Sequence, residues 1–157
     1  MVLITKDIAG ELTSYLASHK YDRTYILTDT NTRNACLPIL QPVQALRQAE
    51  VITIEAGDTH KDIEQVARIW TILSQSGASR HSLLINLGGG MVTDLGGFAG
   101  ATFKRGLHTL NIPTTLMAAV DAAVGGKTGI NFNGLKNEIG ARSEEHTSEL
   151  QSRVSIS

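Results

Sequence analysis

Most of the polar groups that could do chemistry lie in one stretch of the chain, between positions 84 and 137. An apolar run there ends in Gly88, Gly89 and Gly90, directly before a segment with helical character. Bare backbone N–H groups at the N-terminus of a helix favour an anion, so this turn suits a phosphate. A tight strand-to-helix turn without a ligand is the alternative, because the spacing differs from the G-x-G-x-x-G dinucleotide pattern.

Charged side chains in the same stretch predict an anionic ligand. Arg105, Lys127 and Lys136 each stand within two residues of a glycine, and converging cations suit phosphate or carboxylate groups. For each cation, a solvated surface position is the alternative. Asp121 interrupts the apolar run MAAVDAAV, where a carboxylate needs a partner, so it is the strongest candidate for a functional carboxylate.

Other polar residues have structural explanations beside functional ones. Asp94 is expected in the first turn of the helix after the glycines, where a carboxylate interacts favourably with the helix dipole. Asp58 or Thr59 can cap the helix that follows them, and Thr114 and Thr115 also suit N-cap positions. Taken singly, none of these residues indicates a function.

Apolar periodicity predicts the elements that position these residues. Unbroken apolar runs predict strands at 24–28, 51–55, 83–87 and 107–112. Helical spacing predicts helices at 8–16, from 63 to near 77, at 91–99 and at 116–124, while 36–46 is ambiguous. Such strands alternating with helices indicate an α/β fold, a Rossmann-like mostly parallel sheet with helices on both faces.

The polar clusters follow the carboxyl ends of the predicted strands. They occupy 29–31, 58–61, 88–94 and 114–127. In open α/β sheets, ligands bind beyond the carboxyl ends of the strands. We therefore expect these clusters to converge on one crevice, in which His60 also lies by position.

Composition argues against several classes of protein. The 157 residues suit about one domain, and the net charge of −1 gives no reason to expect a nucleic-acid partner. No apolar run reaches the ~18 residues of a membrane span, and the first ten positions lack the features of a signal peptide. Cys36 is the only cysteine, which excludes an internal disulfide. We expect a cytoplasmic protein without a nucleic-acid or membrane partner.

The character of the chain changes at Arg142. The segment RSEEHTSELQSRVSIS has no periodicity and little apolar content, which predicts a disordered terminus. Its first part, RSEEHTSELQS, resembles the translation of a sequencing-library adapter joined to a truncated reading frame. We therefore expect an N-terminal α/β domain at 1–141 and a non-native, disordered tail at 142–157.

Four motifs in order resemble the 3-dehydroquinate synthase family. They are GGGMVTD at 88–94, GFAGATFKRG at 97–106, PTTLMAAVDAAVGGKTGIN at 113–131 and LKNEIGA at 135–141. The resemblance covers roughly 24–141. It implies a two-domain enzyme, in which the N-terminal α/β domain binds NAD and a C-terminal helical domain, missing here, carries the metal and most of the substrate site.

The resemblance also implies an activity in the shikimate pathway of aromatic amino-acid biosynthesis. The family converts a seven-carbon sugar-acid phosphate, 3-deoxy-D-arabino-heptulosonate 7-phosphate, to 3-dehydroquinate. NAD transiently oxidises a ring hydroxyl, phosphate is eliminated, and NAD is regenerated. A divalent metal, zinc or cobalt, polarises the oxidised hydroxyl. The full-length enzyme is expected to be a homodimer.

Residue by residue, the resemblance assigns two sets of contacts. The implied NAD contacts are Asp29, Asn31, Asp58, Thr59, His60, Lys61, Gly89, Gly90, Met91, Asp94, Thr114, Thr115, Lys127 and Lys136. The implied catalytic residues, which contact the substrate, are Asp121, Lys127, Asn137 and Arg105. Of these, the arginine reaches the substrate phosphate and can come from a neighbouring subunit. No metal ligand is assigned, because the family's glutamate and two histidines correspond to positions beyond Ala141.

Two other functions stay open. A related sugar-phosphate cyclase would make a different carbocycle, and the residues that discriminate it would mostly lie in the missing half. A non-catalytic NAD-binding module would fold alone and bind NAD without a metal. A metal-dependent alcohol dehydrogenase shares the general architecture, but the motif at 113–131 argues against it.

We predict that the 157-residue chain cannot complete the family's reaction, because it contains no counterpart of the implied metal ligands. The measurement is phosphate release from the seven-carbon substrate by the purified chain, with NAD⁺ and a divalent metal added. No release above the enzyme-free blank is expected. Detectable turnover would refute the prediction.

Overall fold

The computed structural model describes the backbone of residues 2–123, 127–142 and 147–152, and the side chains of 3–119, 128–141 and 150. Its helices are α1 (Ile8–Ser18), α2 (Thr30–Ala35), α3 (Ile63–Gln75), α4 (Gly90–Thr102) and α5 (Leu116–Ala123). Its strands are β1 (Val2–Thr5), β2 (Thr24–Asp29), β3 (Glu50–Ile54), β4 (Leu83–Gly88), β5 (His108–Pro113), β6 (Lys127–Phe132), β7 (Leu135–Arg142) and β8 (Thr147–Ser152). Every helix in these ranges is too short or too polar to cross a lipid bilayer.

Six of the described strands form one sheet in the order β1-β8-β5-β4-β2-β3, with every pairing parallel. The strands β6 and β7 form a separate antiparallel hairpin. In the middle of the sheet, Leu84 of β4 lies between Tyr25 of β2 and Thr109 of β5. Because these strands run the same way, their carboxyl ends share one edge of the sheet. The predicted mostly parallel α/β fold is confirmed.

Helices cover both faces of this sheet. Leu84 packs in a buried cluster with Ile69 of α3 and Leu95 of α4. Its neighbour Leu83 points to the other face, into a cluster with Leu12 of α1. Successive side chains of a strand alternate between faces, so unbroken apolar runs are needed where both faces are covered.

Glycines allow α4 to lie close to its neighbours. A methyl group at Gly96 would overlap Asn86 of β4, and one at Gly100 would overlap Thr109 of β5. On another side of the helix, a methyl group at Gly97 would overlap Thr128 of β6. The helix is therefore held between the sheet and the hairpin, which fixes where its N-terminus lies.

The structure adds elements that apolar periodicity does not predict. The hairpin turn, Asn133 and Gly134, has φ values of +53° and +78°, the left-handed conformations that suit a two-residue hairpin. The short strand β1 is a second addition. The ambiguous segment 36–46 forms two 3₁₀ turns, Leu37–Leu40 and Gln44–Leu46.

The end of the chain differs from the predicted disordered tail. Thr147–Ser152 forms β8, which pairs in parallel with β1 and with β5. The side chain of Leu150 is buried in the same apolar cluster as Leu12. Backbone pairing can hold so polar a segment because β1 and β5 would otherwise present unpaired edges. Positions 143–146 and 153–157 lie outside the described residues, and the non-native origin of the tail stays a prediction.

The close packing of α4 predicts that Gly96→Ala lowers the free energy of unfolding by about 1–3 kcal/mol, because the added methyl group overlaps the fully buried Asn86. The matched control is Gly90→Ala in the same helix, where nothing lies within 4 Å of the added carbon. That control should be neutral or stabilising by up to about 1 kcal/mol. Urea unfolding measures both, and equal effects would contradict the packing.

Candidate functional site

The carboxyl ends of β2 to β5 bring the predicted polar clusters to one edge of the sheet. The loop after β3 is tied to the end of β2, since the Ala56 N–H donates to Thr30 Oγ1 at 3.3 Å. The glycine turn after β4 lies beside the segment after β5, where the Thr114 N–H donates to the Gly88 carbonyl at 2.9 Å. These contacts join the loops that follow neighbouring strands, at the edge where the strand ends predict a crevice.

The glycine turn leaves the N-terminus of α4 open. Gly89 is the N-cap residue, and no side chain caps the helix there. Gly90, the first helical residue, is exposed, with nothing within 4 Å of the position that a side-chain carbon would take. The first N–H groups of a helix have no partner within the helix and carry partial positive charge. The turn therefore fits a phosphate-containing group such as the pyrophosphate of NAD.

Lys61 is the charged centre of the crevice. The residue is only 4% exposed, and its Nζ donates to Asp94 Oδ2 at 3.1 Å and to Asn137 Oδ1 at 2.6 Å. The Asp58 carboxylate lies 3.8 Å from the same nitrogen. A buried ammonium group is stable only with such partners. This contact corrects the expectation for Asp94, which lies beyond the first turn of α4 and pairs with a lysine.

The loop between β3 and α3 does not cap the helix that follows it. Capping by Asp58 or Thr59 was the structural alternative to a binding role, but both residues lie in a 3₁₀ turn, Asp58–His60. The N-cap of α3 is Asp62, whose Oδ1 accepts from the Gln65 N–H at 3.0 Å. The Asp58 side chain is half-exposed and therefore open to a ligand.

Asp29 at the end of β2 already has a structural role. Its Oδ1 accepts from the backbone N–H groups of Asn31 at 2.9 Å and Thr32 at 2.7 Å, in a capping box that starts α2. Asn31 is exposed on the first turn of that helix. These two residues lie at the crevice edge, and their role in binding stays a prediction.

The other implied cofactor contacts lie along the same edge. Thr115 Oγ1 accepts from the Ala118 N–H at 3.1 Å, so this threonine caps α5 as expected. Thr114 is buried, while His60 and Met91 are half-buried. Lys136 is exposed, with its Nζ 3.9 Å from Asp58 Oδ2.

Arg105 is not brought to this crevice. It follows the C-terminal end of α4 and precedes β5, so it lies near the amino edge of the sheet. A helix of 13 residues is about 20 Å long, which separates Arg105 from the glycine turn at the other end. The expectation of three cations near one crevice is therefore wrong for Arg105 within this chain. The side chains of Asp121 and Lys127 lie outside those that the structure describes.

Asn131 is a residue of the site that the sequence interpretation missed. Its Nδ2 donates to the Asp58 carbonyl at 2.9 Å, and its Oδ1 accepts from the Asn137 N–H at 3.1 Å. The Asn-Gly dipeptide of the turn is a strong hairpin signal, and it would have placed Asn131 and Asn137 on facing strands.

Metal ligands and a reactive thiol are not features of the described part of this site. Within the described residues, no three His, Cys, Asp or Glu side chains lie close enough together to hold a metal ion. Cys36 is buried, and its burial, together with the charge of Asp29, raises the pKa of the thiol above its usual value. Two cavities, of about 460 and 350 Å³, lie around Val43 and around Asp22 and contain none of the predicted site residues.

Comparisons with known proteins identify relatives of this chain. The parallel sheet and the open glycine turn define a Rossmann-like α/β protein of the kind that binds phosphate-containing ligands at its carboxyl edge. Residues 51–151 match the model of the 3-dehydroquinate synthase N-terminal domain. A 3-dehydroquinate synthase of Parabacteroides distasonis is 62% identical over 140 residues, which is 89% of this chain. This chain belongs to the 3-dehydroquinate synthase family.

Another relative and two solved structures are also similar to this chain. A 3-dehydroquinate synthase of Thermococcus kodakarensis is 47% identical over 71% of the chain. The chain spans 40% and 32% of the length of the Parabacteroides and Thermococcus relatives. A 2-deoxy-scyllo-inosose synthase, solved with carbaglucose-6-phosphate, NAD⁺ and Co²⁺, matches 96% of the chain and 42% of its own, with a TM-score of 0.86 and 19% identity. A 2-epi-5-epi-valiolone synthase from Streptomyces hygroscopicus, solved with NAD⁺ and Zn²⁺, matches 96% and 42%, with a TM-score of 0.80 and 25% identity.

The burial of Lys61 predicts that Lys61→Met lowers the free energy of unfolding by about 1–3 kcal/mol, because it removes the ammonium group from Asp94 and Asn137. The matched control is Lys136→Met, which removes an exposed cation from the same crevice and should change stability by less than about 0.5 kcal/mol. Urea unfolding of both variants checks this. Equal, small effects would show that the Lys61 contacts contribute nothing to stability.

Proposed function

We propose that this chain binds NAD along the crevice and supplies the cofactor-binding part of a 3-dehydroquinate synthase. The observation that carries the proposal is the uncapped N-terminus of α4 at Gly89 and Gly90, next to the segment after β5. A pyrophosphate there would accept hydrogen bonds from backbone N–H groups and interact favourably with the helix dipole. The identity of 62% to a 3-dehydroquinate synthase supports the same function.

The loop after β3 is proposed to hold the adenosine part of NAD. The half-exposed Asp58 carboxylate can accept hydrogen bonds from ribose hydroxyls, as acidic residues do in related α/β sites. Asp29 and Asn31 lie at the adjacent strand end. The proposed cofactor contacts are completed by Thr59, His60, Lys61, Met91, Asp94, Thr114 and Thr115, with Lys127 and Lys136 at the border of the site.

The proposed substrate is the seven-carbon sugar-acid phosphate of the family. Bound NAD would supply transient oxidation of a ring hydroxyl, which acidifies the neighbouring C–H bond. The exposed ammonium group of Lys136 would attract the anionic substrate, and Asn137, fixed through its Oδ1 by Lys61, would orient it. Asp121 and Lys127 are proposed substrate contacts from the family motif. The family's zinc or cobalt ion finds no three-ligand cluster in the described residues, so no step is assigned to it here.

We include a homodimer in the proposal because of the position of Arg105. This side chain lies at the far end of α4 from its own crevice. It could therefore contact a substrate phosphate only in the site of a second subunit. A cytoplasmic location is also proposed, which the single buried cysteine supports.

A related sugar-phosphate cyclase is the second candidate. Its support is the similarity of the fold to 2-deoxy-scyllo-inosose synthase, with a TM-score of 0.86. The identity to that protein is 19%, against 62% to a 3-dehydroquinate synthase, so the latter function is preferred. A non-catalytic NAD-binding module would share the cofactor site but show no turnover in any assembly.

The open glycine turn predicts that Gly90→Asp weakens NAD⁺ binding by the purified chain at least ~10-fold, because a carboxylate at the helix N-terminus repels the pyrophosphate. The same change should leave folding stability unchanged or slightly higher, since an acidic residue in the first turn favours the helix. Calorimetric titration with NAD⁺ measures the affinity, and urea unfolding measures the stability.

The control is Gly90→Asn, which has the same size without the charge and should weaken binding by no more than ~3-fold. If both variants bind NAD⁺ as the unchanged chain does, the phosphate does not lie at this turn. If the unchanged chain itself does not bind NAD⁺, the proposed function is wrong.

A further inference from the structure

Four residues form a closed ring of contacts between the loop after β3 and the hairpin. Asn131 Nδ2 donates to the Asp58 carbonyl at 2.9 Å, and the chain continues from Asp58 to Lys61. Lys61 Nζ donates to Asn137 Oδ1 at 2.6 Å. The Asn137 N–H then donates to Asn131 Oδ1 at 3.1 Å, which closes the ring. The two segments are 70 or more positions apart, so no local preference produces this arrangement.

Asn131 supplies two of the contacts of this ring through one side chain. Both ends of its side-chain amide are used, and its backbone N–H donates to the Lys61 carbonyl at 2.6 Å. An amide offers a donor and an acceptor in one plane, whereas a carboxylate offers acceptors alone. Asparagine is therefore the side chain that can hold a carbonyl on one segment and an N–H on the other.

Asn137 needs such support because of its backbone conformation. Its φ is +53°, in the left-handed region that L-residues other than glycine rarely occupy. The ring holds both its N–H and its side-chain oxygen. Without these contacts the residue would relax toward an extended conformation, and its amide group would leave the crevice.

We propose that Asn131 is a positioning residue, which locks the cofactor loop at 58–61 and the substrate-facing Asn137 into one unit. The inference rests on the proposed function for the roles of the two segments, but the ring itself can be tested without a ligand. Occupation of the loop by NAD is then transmitted to Asn137 through the closed ring, which Asn131 completes, so that cofactor binding fixes the substrate side of the crevice.

The decisive variant is Asn131→Asp, studied in the full 157-residue chain by hydrogen exchange of individual amides. Aspartate loses the donor to the Asp58 carbonyl but keeps an acceptor for the Asn137 N–H. If the ring is one unit, the Asn137 amide still exchanges at least ~10-fold faster than in the unchanged chain. Exchange at Leu84 and Ile85 in the core should stay the same.

The matched control is Asn133→Asp, which makes the same charge change two residues away in the hairpin turn, where aspartate tolerates the positive φ. It should leave the exchange of Asn137 unchanged. If Asn131→Asp and Asn133→Asp give the same Asn137 exchange, the proposal is overturned. Should Asn131→Asp fail to fold, Lys61→Met opens the ring at another point and must produce the same acceleration at Asn137.

A second arm uses saturating NAD⁺ as the probe. In the unchanged chain, NAD⁺ should slow exchange both at 58–61 and at Asn137. In Asn131→Asp it should slow exchange at the glycine turn but no longer at Asn137, a split that a purely structural role would not give. If NAD⁺ still slowed exchange at Asn137 in Asn131→Asp, the proposed transmission from the cofactor loop to Asn137 would be overturned. Absence of NAD⁺ binding to the unchanged chain would instead refute the proposed function, while the ligand-free comparison still decides the ring.

Discussion

A buried ammonium group constrains everything around it, because its hydrogen-bond donors must be satisfied where water cannot reach them. Lys61 meets this demand by contacting a carboxylate on α4 and an amide oxygen on β7. These partners come from elements that are far apart in the chain, so the lysine fixes three segments relative to one another. The loop after β3, the helix that follows the glycine turn and the hairpin thereby become walls of one crevice.

Glycine has two different physical roles along α4. At Gly96, Gly97 and Gly100 it removes side chains that would collide with Asn86, Thr128 and Thr109, so the helix can lie in close contact with the sheet and the hairpin. At Gly90 it leaves space, since nothing lies within 4 Å of the position that a side-chain carbon would take, and at Gly89 the nearest side chain, Thr115, would be 3.4 Å from that carbon. The first role places the helix axis and the second leaves its N-terminus free for an anion. Arg105 follows the opposite end of the same helix and therefore lies away from the crevice.

Local signals account for what could be predicted from the sequence. The strands β2, β3, β4 and β5 are unbroken apolar runs because both faces of the sheet are covered. From the predicted ends of these strands, the glycine turn and the 58–61 loop could be assigned to the carboxyl edge of the sheet, where the structure has them. Long-range contacts account for what could not. The partner of Asp94 is 33 positions away, and the ring through Asn131 joins segments that no periodicity links. The hairpin is different: it was not predicted, although its Asn-Gly turn is a local signal that the sequence contains.

The position of β8 shows why the geometry of the crevice does not depend on the sequence of the segment after Arg142. A strand inside a parallel sheet is usually an apolar run, and Thr147–Ser152 has one apolar residue, so its place depends on backbone pairing with β1 and β5. It pairs with β5 from Thr109 to Asn111, and the pairing stops before the last two residues of that strand. At the carboxyl end, β5 is held instead by β4, through the pairing of Gly88 with Pro113 and the bond from the Thr114 N–H to Gly88. The geometry of the glycine turn and of the Thr114–Thr115 segment is therefore set by the β4–β5 pair, whatever the sequence of the strand on the other side of β5.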